Sequence, residues 1–460
     1  MAPNPRAHDL APPPPADTIF ACATAPGRAG IAVIRISGPR AFAAVEALGA
    51  PKPPARRLTR ARFRDPESGE LVDDGLVAIF PAPHSYTGED MTELQVHGSR
   101  AVIDALLAIL GRQPGLRMAE PGEFTRRAFE NGKLDLTEAE AVADLVAAET
   151  AAQRRQALKQ LSGELRDLYE GWRERLLRGL AHLEAAIDFP DEGLPSNIAR
   201  EVVRTAGELA GEVSRHLADN RRGERLRDGL SVAILGPPNA GKSSLLNALA
   251  RREAAITSAT AGTTRDVIEV HLDLGGYPAI LADTAGLRDP GDAIEAEGVR
   301  RARARAAEAD LKLMVLDATR PDEAGPVLRA LVDRDTLVVA NKIDLVTSER
   351  AAAWTDAVGP APALRISVKT GAGLDALLAR LTDELARRFD ATGAPLITRA
   401  RHRAALEECL AALLRYDPAA LPELGAEDLR LAARALGRIT GRVDVEDLLD
   451  IIFRDFCIGK

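Results

Sequence analysis

The feature that constrains this chain most is a short glycine-containing turn between an apolar run and a helical pattern. Residues 230–244 read LSVAILGPPNAGKSS, so the spacing G-x-x-x-x-G-K-S follows a strand-like run and leads into a helix-like stretch at residues 244–250. Glycines at this spacing let backbone N–H groups turn inward around phosphate oxygens at a helix N-terminus. A chance lysine in an ordinary strand-to-helix turn is the alternative, disfavoured because both flanking elements are present. The segment predicts a phosphate-binding loop.

The phosphate-binding loop assigns roles to its last residues. Lys242 is expected to reach the β- and γ-phosphates of a nucleotide, and the Ser243 hydroxyl to bind Mg²⁺. The residues predicted to contact the nucleotide here are Asn239, Ala240, Gly241, Lys242, Ser243 and Ser244.

A second motif follows the apolar run AILA at residues 279–282. Asp283 then stands at a strand end, where a Walker-B-type aspartate meets Mg²⁺, and Gly286 can offer its N–H to a γ-phosphate. The predicted contacts are Asp283, Thr284, Ala285 and Gly286.

A third motif selects the base. Residues 336–340 predict a strand that ends at Asn341, and Asp344 lies shortly after it. Its carboxylate can accept the paired N–H donors of guanine, which adenine lacks, so the predicted nucleotide is GTP. The base contacts are expected from Asn341, Lys342, Asp344, Ser367, Val368 and Lys369.

Between the phosphate loop and the second motif lies a candidate switch. Residues 258–266 read SATAGTTRD, and Thr264 can complete the Mg²⁺ shell only when a γ-phosphate is present. Position 287 is leucine, which cannot orient an attacking water as the glutamine of Ras-type enzymes does. Another group must therefore do so.

Length and composition limit the classes of protein. A chain of 460 residues suggests about three domains. Its net charge of −8 gives no overall electrostatic footprint for nucleic acid, so any RNA contact is local. Cys22, Cys409 and Cys457 lack the spacing of a disulfide framework, which suits a reducing cytoplasm. The seven histidines lack metal-site spacing, so we expect no transition metal, and we expect no membrane association because no apolar segment is long enough to span.

The region before the first long helix has a mixed pattern. Residues 31–36, IAVIRI, form an apolar run with Arg35 inside it and a Ser-Gly turn behind it, which predicts a buried strand. Residues 74–80 predict another strand, and residues 101–110 predict an apolar helix. A charged side chain inside an apolar strand is unusual and marks Arg35 for attention.

Helical patterns lie on both sides of the nucleotide motifs. Thr137 and Glu140 have the spacing of a capping box, and apolar residues recur at three- and four-residue spacing over residues 158–187, which predicts one continuous apolar stripe. A second amphipathic helix is predicted over residues 196–226. We expect a helical domain interrupted by an inserted nucleotide-binding domain, since insertion is tolerated where chain ends lie close together. The expected parts are a disordered tail at 1–16, an N-terminal domain at 17–133, a first helical part at 134–228, a nucleotide-binding G domain at 229–389 and a second helical part at 390–460.

Three motifs together resemble a known family. The chain carries GRAGIAVIRISG near its N-terminus, GTTRD after the phosphate loop and FCIGK at its end, and it is similar to the tRNA modification GTPases of the MnmE (TrmE) type from about Asp17 to Lys460. The resemblance implies a multidomain α/β fold: an N-terminal α+β folate-binding and dimerisation domain, a discontinuous helical domain and an inserted Ras-like P-loop GTPase domain.

The resemblance also implies how GTP is hydrolysed. K⁺ at the phosphates takes the place of an arginine finger and promotes dimerisation of two G domains, which is physically sensible because a cation there stabilises transition-state charge. The family's water-orienting glutamate corresponds to Glu295, with Glu297 the nearby alternative. The implied Mg²⁺ ligands are Ser243 and Thr264, the implied K⁺ ligands are Asn239, Ser258, Thr260 and Thr263, and the surrounding nucleotide loop comprises Ser258, Ala259, Thr260, Ala261, Gly262, Thr263 and Thr264.

For the N-terminal domain the resemblance implies a 5-formyl- or 5,10-methylene-tetrahydrofolate site. A homodimer would join an FAD-containing MnmG/GidA-type partner in an α₂β₂ complex, which converts the wobble uridine of certain tRNAs to a 5-aminomethyl or 5-carboxymethylaminomethyl form. Cys457 suits either a nucleophilic or a packing role. The implied folate ligands are Arg35, Glu93, Lys133 and Lys460.

Two alternatives stay open at this point. Arginines at 300, 301, 303 and 305, and at 399, 401 and 403, suit either a solvated helix face or local RNA contact. The whole chain also suits a GTP-switched assembly or ribosome-associated factor that modifies no base. Such a factor has no reason to carry a folate-type domain, so folate binding separates the two hypotheses.

Overall fold

The computed structural model describes residues 17–188, 196–251, 269–283, 304, 306–320, 329–347, 363–389, 395–443, 449–450, 452–453, 456 and 458–459. The chain forms two compact units. The first is Met1–Ala143 with Gly437–Lys460, and the second is Asp144–Leu436. The five expected parts and their boundaries stay a prediction. Among the described residues, no helix is both long and apolar enough to cross a membrane.

The first unit is built on a six-stranded sheet. Its spatial order is β3-β4-β5-β2-β1-β6, with β1 parallel to β6 and the other neighbours antiparallel. The strands predicted at 31–36 and 74–80, and the helix predicted at 101–110, are present. The elements are β1 (Thr18–Cys22), β2 (Ala29–Ser37), α1 (Ala41–Ala47), β3 (Thr59–Arg64), β4 (Leu71–Phe80), β5 (Met91–Gly98), α2 (Arg100–Arg112), β6 (Leu116–Met118), α3 (Glu123–Glu130) and α4 (Leu136–Ala147).

The end of the chain packs within this first unit. Ile458 forms a bridge with Pro121, and a Cβ on Gly122 would lie 2.6 Å from the Phe453 carbonyl oxygen. Phe453 and Phe456 share an apolar cluster with Leu136. These contacts join Phe453, Phe456 and Ile458 to the segment at residues 121–136.

The cap of α4 differs from the prediction. The Asp135 carboxylate accepts the Glu138 N–H at 2.8 Å, and the Glu138 carboxylate accepts the Asp135 N–H at 2.9 Å. Thr137 donates its hydroxyl to Asp135 at 2.7 Å instead of capping the helix itself. The capping box predicted for Thr137 and Glu140 is therefore wrong, because an aspartate two positions earlier meets the orphan N–H groups first.

In the second unit, helices precede and follow the G domain. The predicted 158–187 stripe is split between two helices at Gly163, and the helix predicted over 196–226 is split at Asn220 and Arg221. All three residues have positive φ, which ends a right-handed helix. The helices are α5 (Ala151–Leu161), α6 (Glu164–Asp188), α7 (Ser196–Leu217) and α8 (Arg222–Asp228) before the G domain, and, after it, helices with bounds Ala400–Arg415 and Pro422–Thr440.

The G domain is a second six-stranded sheet with the order β12-β11-β10-β7-β9-β8. Among the described strands, β8 alone is antiparallel to its neighbour, and the other pairs are parallel. Its central strands β7, β10 and β11 are buried and mainly apolar, as expected for a parallel sheet covered on both faces. The elements are β7 (Leu230–Leu235), α9 (Lys242–Ala250), β8 (Glu269–Leu274), β9 (Tyr277–Asp283), β10 (Leu311–Asp317), β11 (Thr336–Asn341), β12 (Leu364–Arg365) and α10 (Leu374–Phe389); the two later helices are α11 (Ala400–Arg415) and α12 (Pro422–Thr440).

Candidate functional site

The phosphate-binding loop connects β7 to α9, as predicted. A Cβ on Gly236 would lie 2.0 Å from the Val315 carbonyl oxygen, so the loop leaves the sheet through a gap that only glycine fits. Asn239 and Gly241 both have positive φ, +60° and +98°. A Cβ on Gly241 would lie 2.3 Å from Asn341 Nδ2. The sequence therefore folds here into a tight turn that brings the loop against β11.

Lys242 begins α9 and is 8% exposed. Its Nζ donates to the carbonyl oxygens of Gly236 at 3.0 Å and Pro237 at 2.8 Å. A buried ammonium surrounded by loop backbone at a helix N-terminus favours anionic oxygens. The loop thus fits the phosphates of a nucleotide.

Asn341 and Lys342 join the phosphate-binding loop to the end of β11. Asn341 is 2% exposed, and its Nδ2 donates to the Ala240 carbonyl oxygen at 2.8 Å. Lys342 Nζ donates to the Asn239 carbonyl oxygen at 2.8 Å and pairs with Asp317 at 2.5 Å. Residues about a hundred positions apart in sequence therefore form one connected site.

The Asp317 carboxylate lies at the end of β10, beside Asn341 in the register of the two strands. Burial alone would raise its pKa, and hydrogen bonds from Lys342 and Thr319 outweigh burial and hold the pKa below its ordinary value. It stays ionised and fixes the Lys342 ammonium. Asp317 was not among the predicted site residues; the available signal was a carboxylate directly after the mostly apolar run LKLMVL.

The predicted base-contact residues also meet. Ser367 donates its hydroxyl to Asp344 at 2.7 Å, and Val368 N–H donates to Asn341 Oδ1 at 3.1 Å. Asn341 therefore links the phosphate loop to the loop at 367–369. Carboxylate and amide groups gathered at the carboxyl ends of parallel strands are typical of a nucleotide site in this sheet architecture.

Part of the predicted site lies outside the described residues. Asp283 ends β9, and its Cα is paired in register with that of Ile234 in β7. Its side chain lies outside the description, as do Ser258, Ala259, Thr260, Ala261, Gly262, Thr263, Thr264, Thr284, Ala285, Gly286, Glu295, Glu297, Cys457 and Lys460.

A second candidate site lies in the first unit, and Arg35 and Glu93 form its centre. They are cross-strand partners on β2 and β5, and Arg35 Nη2 lies 3.0 Å from Glu93 Oε1. The side chains are 15% and 20% exposed. A pair screened this far from water is strongly coupled, so removing one partner leaves a poorly solvated charge.

Glu93 and Lys133 line one cavity of about 420 Å³, called the N-terminal cavity below. Lys133 Nζ donates to the Pro83 carbonyl oxygen at 3.1 Å. Glu93 on β5 and Lys133 in the turn before α4, both predicted folate ligands, therefore line the same cavity. The other lining residues are Arg56, Phe80, His84, Ser85, Tyr86 and Met91.

Arg35 does not line the cavity itself, but it contacts Glu93 and Tyr86, which do. Its guanidinium lies 5.3 Å from the Tyr86 ring centroid and 5.7 Å from that of Phe124. Its Nη1 donates to the Gly459 carbonyl oxygen at 3.3 Å. Burial raises the pKa of Tyr86, whose hydroxyl shares a hydrogen bond with Thr125 at 2.8 Å. The fit is to a ligand with an aromatic ring and polar edges.

The sequence analysis missed Tyr86 and Arg56 as parts of this site. Tyr86 lies in the polar run at residues 84–90, HSYTGED, which was the available signal. Arg56 lies in an irregular segment before β3 and has no pattern that marks it.

Two family models match this chain over most of its length. A family model described as the MnmE helical domain matches residues 136–457, and one described as the GTP-binding protein TrmE N-terminus matches residues 18–133. The tRNA modification GTPase MnmE of Paramagnetospirillum magneticum is 59% identical over 445 residues, which cover 96% of this chain and 100% of the relative. The chain belongs to the MnmE family of tRNA modification GTPases.

A second MnmE relative, from Rhodospirillum rubrum, is 58% identical over 456 residues and covers 96% of this chain and 99% of its own. The solved G domain of the Thermotoga maritima (T. maritima) FeoB iron transporter is 24% identical, covers 34% of this chain and 98% of its own, and has a TM-score of 0.26, which is too low to bear on the fold. Membership of the MnmE family confirms the predicted resemblance, the N-terminal, helical and GTPase parts of the predicted fold class, and the predicted enzyme class, a GTP hydrolase in tRNA modification.

Proposed function

We propose that the chain hydrolyses GTP in the G domain and uses that cycle to control modification of a tRNA wobble uridine. The proposal that the chain binds GTP rests on Asn341, whose side chain donates a hydrogen bond to Ala240 and accepts one from Val368. This side chain joins a phosphate-binding loop to a loop suited to guanine. Ser243 and Thr264 are the proposed Mg²⁺ ligands, and the proposed guanine acceptor is Asp344.

Catalysis is proposed to need K⁺, which would supply positive charge at the phosphates when bound. Asn239 supports this proposal because it is exposed at the rim of the phosphate loop with φ +60°, where its side-chain oxygen is free to turn toward a cation. Glu295, with Glu297 as the alternative, is proposed to orient the attacking water. The other proposed K⁺ ligands are Ser258, Thr260 and Thr263.

The N-terminal cavity is proposed to bind a reduced folate, which carries a one-carbon unit when bound. Its volume, the ion pair of Arg35 and Glu93, and the Lys133 side chain fit a bicyclic ring with hydrogen-bonding edges. Lys460 is proposed to complete the site, and the Arg35 contact with the preceding Gly459 supports this placement.

The remaining parts of the proposal concern assembly and product. A homodimer would act with an FAD-containing MnmG/GidA-type partner in an α₂β₂ complex on certain tRNAs in the cytoplasm. The product would be 5-aminomethyl or 5-carboxymethylaminomethyl uridine. A factor that only assembles ribosomes has no use for the N-terminal cavity, which is why we favour base modification.

Hydrolysis of GTP by the purified chain in matched KCl and NaCl tests the catalytic proposal. Strong stimulation by K⁺, with a Glu295→Ala variant that binds GTP and fails to hydrolyse it, supports the proposal. Equal rates in both salts contradict the K⁺ mechanism. The modification proposal is tested separately, by adding the partner, a folate and unmodified tRNA and analysing the digested nucleosides by mass spectrometry.

A further inference from the structure

The second unit contains a cavity that neither proposed site uses. It has a volume of about 270 Å³ and lies where α5 and the start of α6 face the end of α10 and the first residue of β9. We call it the α5 cavity. All the residues that line it belong to the second unit. It lies at the Tyr277 end of β9, away from the predicted phosphate and guanine contacts at the carboxyl ends of the strands.

Two buried polar atoms at the α5 cavity have no hydrogen-bond partner in the part of the chain that the structure describes. Thr398 is 1% exposed, and its Oγ1 has no partner in the described part of the chain. Gln156 Oε1 is likewise buried and unbonded there. Both residues line the cavity. Leaving such groups unsatisfied costs about 1–3 kcal/mol each, so they indicate a missing polar partner.

One wall of the α5 cavity is aromatic and apolar. The rings of Tyr277 and Phe389 are stacked with centroids 5.4 Å apart and an interplanar angle of 12°. Leu165 and Leu226, 1% and 7% exposed, extend this surface. Such a wall suits the face of a planar ring.

Three charged residues line the α5 cavity, the basic Arg155 and Lys159 and the acidic Glu164, so the lining has a net positive charge. Arg155 and Lys159 lie one turn apart on α5, both are exposed, and neither forms an ion pair among the described residues. An unpaired guanidinium beside an ammonium favours an anionic group, since charge-assisted hydrogen bonds are the strong ones.

We propose that the α5 cavity binds a small planar heterocycle that carries an anionic group, of the nucleoside monophosphate class. The ring would lie against Tyr277, a ring N–H would donate to Gln156 Oε1, and the Thr398 hydroxyl would bond a ring edge. The phosphate would lie at Arg155 and Lys159. Water molecules in the cavity would supply hydrogen bonds to Thr398 and Gln156. They would not explain the aromatic wall or the two cations, which a nucleoside monophosphate does.

The test uses the full-length protein saturated with GDP and Mg²⁺, so that the G domain is occupied. AMP, GMP, CMP and UMP are titrated separately by calorimetry. At least one is expected to bind, and Arg155→Ala is expected to weaken it by about tenfold or more. Arg154→Ala is the matched control, because Arg154 is the exposed neighbour on α5 and does not line the cavity.

Thr398→Val gives a second test at nearly constant volume. It is expected to weaken the monophosphate by several-fold and to leave GDP affinity unchanged, which also shows that the variant is folded. No binding of any of the four probes at millimolar concentration, or equal weakening by Arg154→Ala and Arg155→Ala, overturns the proposal. Binding that the Thr398 and Arg155 variants leave intact also overturns it.

Discussion

The nucleotide site and the N-terminal cavity are built in opposite ways. At the nucleotide site, loop backbone forms much of the framework: Lys242 and Asn341 donate to loop carbonyl oxygens, and Gly236 and Gly241 admit no side chain. At the N-terminal cavity, charged side chains from separate elements meet, with Arg35 and Glu93 brought together by strand register and Gly459 by the chain end. A site made of loop backbone leaves a motif in the sequence, whereas a site made by register leaves isolated residues.

The largest effect is expected from Gly241→Ala. Its Cβ would lie 2.3 Å from Asn341 Nδ2 at a φ of +98°, so the phosphate loop must shift. We expect GDP affinity to fall by at least about a hundredfold in calorimetry and folate affinity to stay unchanged. Gly69→Ala is the matched control: its φ is +74°, and nothing lies within 4 Å of the added Cβ. Equal loss of GDP affinity in both variants would contradict a specific role for Gly241 in the phosphate loop.

A substitution at Asp344 sharpens the comparison by changing a side chain within the backbone-built site. Asp344→Asn exchanges an acceptor for a donor opposite the guanine edge. We expect guanine nucleotide affinity to fall by about tenfold to a hundredfold, and xanthine nucleotides, which present an acceptor there, to gain. Competition between GDP and XDP measures this directly. Retained preference for GDP would remove Asp344 from the base contact.

Arg35→Ala tests the register-built site. The substitution removes the ion-pair partner that lies 3.0 Å from Glu93, the only one among the described residues. The Glu93 carboxylate then remains partly buried without a cation beside it. We expect 5-formyl-tetrahydrofolate binding to weaken by about tenfold or more, with GDP binding unchanged. Arg60→Ala is the matched control, since Arg60 pairs with Asp74 on the same sheet with a 73% exposed side chain. Similar folate loss in both variants would contradict a specific role for Arg35.

The smallest effect concerns acid stability of the first unit. Burial alone would raise the pKa of Glu123 and of Asp17, and hydrogen bonds from Arg117 and Arg127 outweigh burial and lower both. Because the folded pKa values are depressed, this stabilisation is complete above the unfolded values near 4 and is lost as pH falls through the folded values.

Each of these carboxyls is expected to contribute less than about 1 kcal/mol, since the groups are partly solvated. Denaturant unfolding of the full chain at neutral pH and at pH about 3 measures the change. Arg117→Gln is expected to reduce the pH dependence of the first unit's transition. If the pH dependence is unchanged in that variant, the ion pairs of Arg117 with Asp17 and Glu123 do not contribute to acid stability.

Sequence patterns predicted the strands and the nucleotide motifs because their causes are local. A buried parallel strand is an apolar run, and a phosphate loop needs glycine at fixed spacing, so β7, β9, β11 and α9 lie where expected. The helix breaks at Gly163 and Asn220 were missed because the apolar period continues across them. The α4 cap was misassigned because Asp135 and Thr137 have similar capping ability, and geometry decides between them.

The rest of each site depends on distant contacts. Asp317 meets Lys342 through the order of strands, which local patterns do not specify. Tyr86 and Gly459 reach Arg35 through a loop and the chain end. Residue spacing carries no information about either contact, so these residues could be found only in the folded chain.

The most direct test of the two-site account is one crossed binding experiment on Gly241→Ala and Arg35→Ala. Each purified variant is titrated with GDP·Mg²⁺ and with 5-formyl-tetrahydrofolate under the same conditions. The account predicts that Gly241→Ala loses GDP and keeps folate, and that Arg35→Ala loses folate and keeps GDP. Loss of both ligands in either folded variant, or folate binding that Arg35→Ala leaves intact, would contradict it.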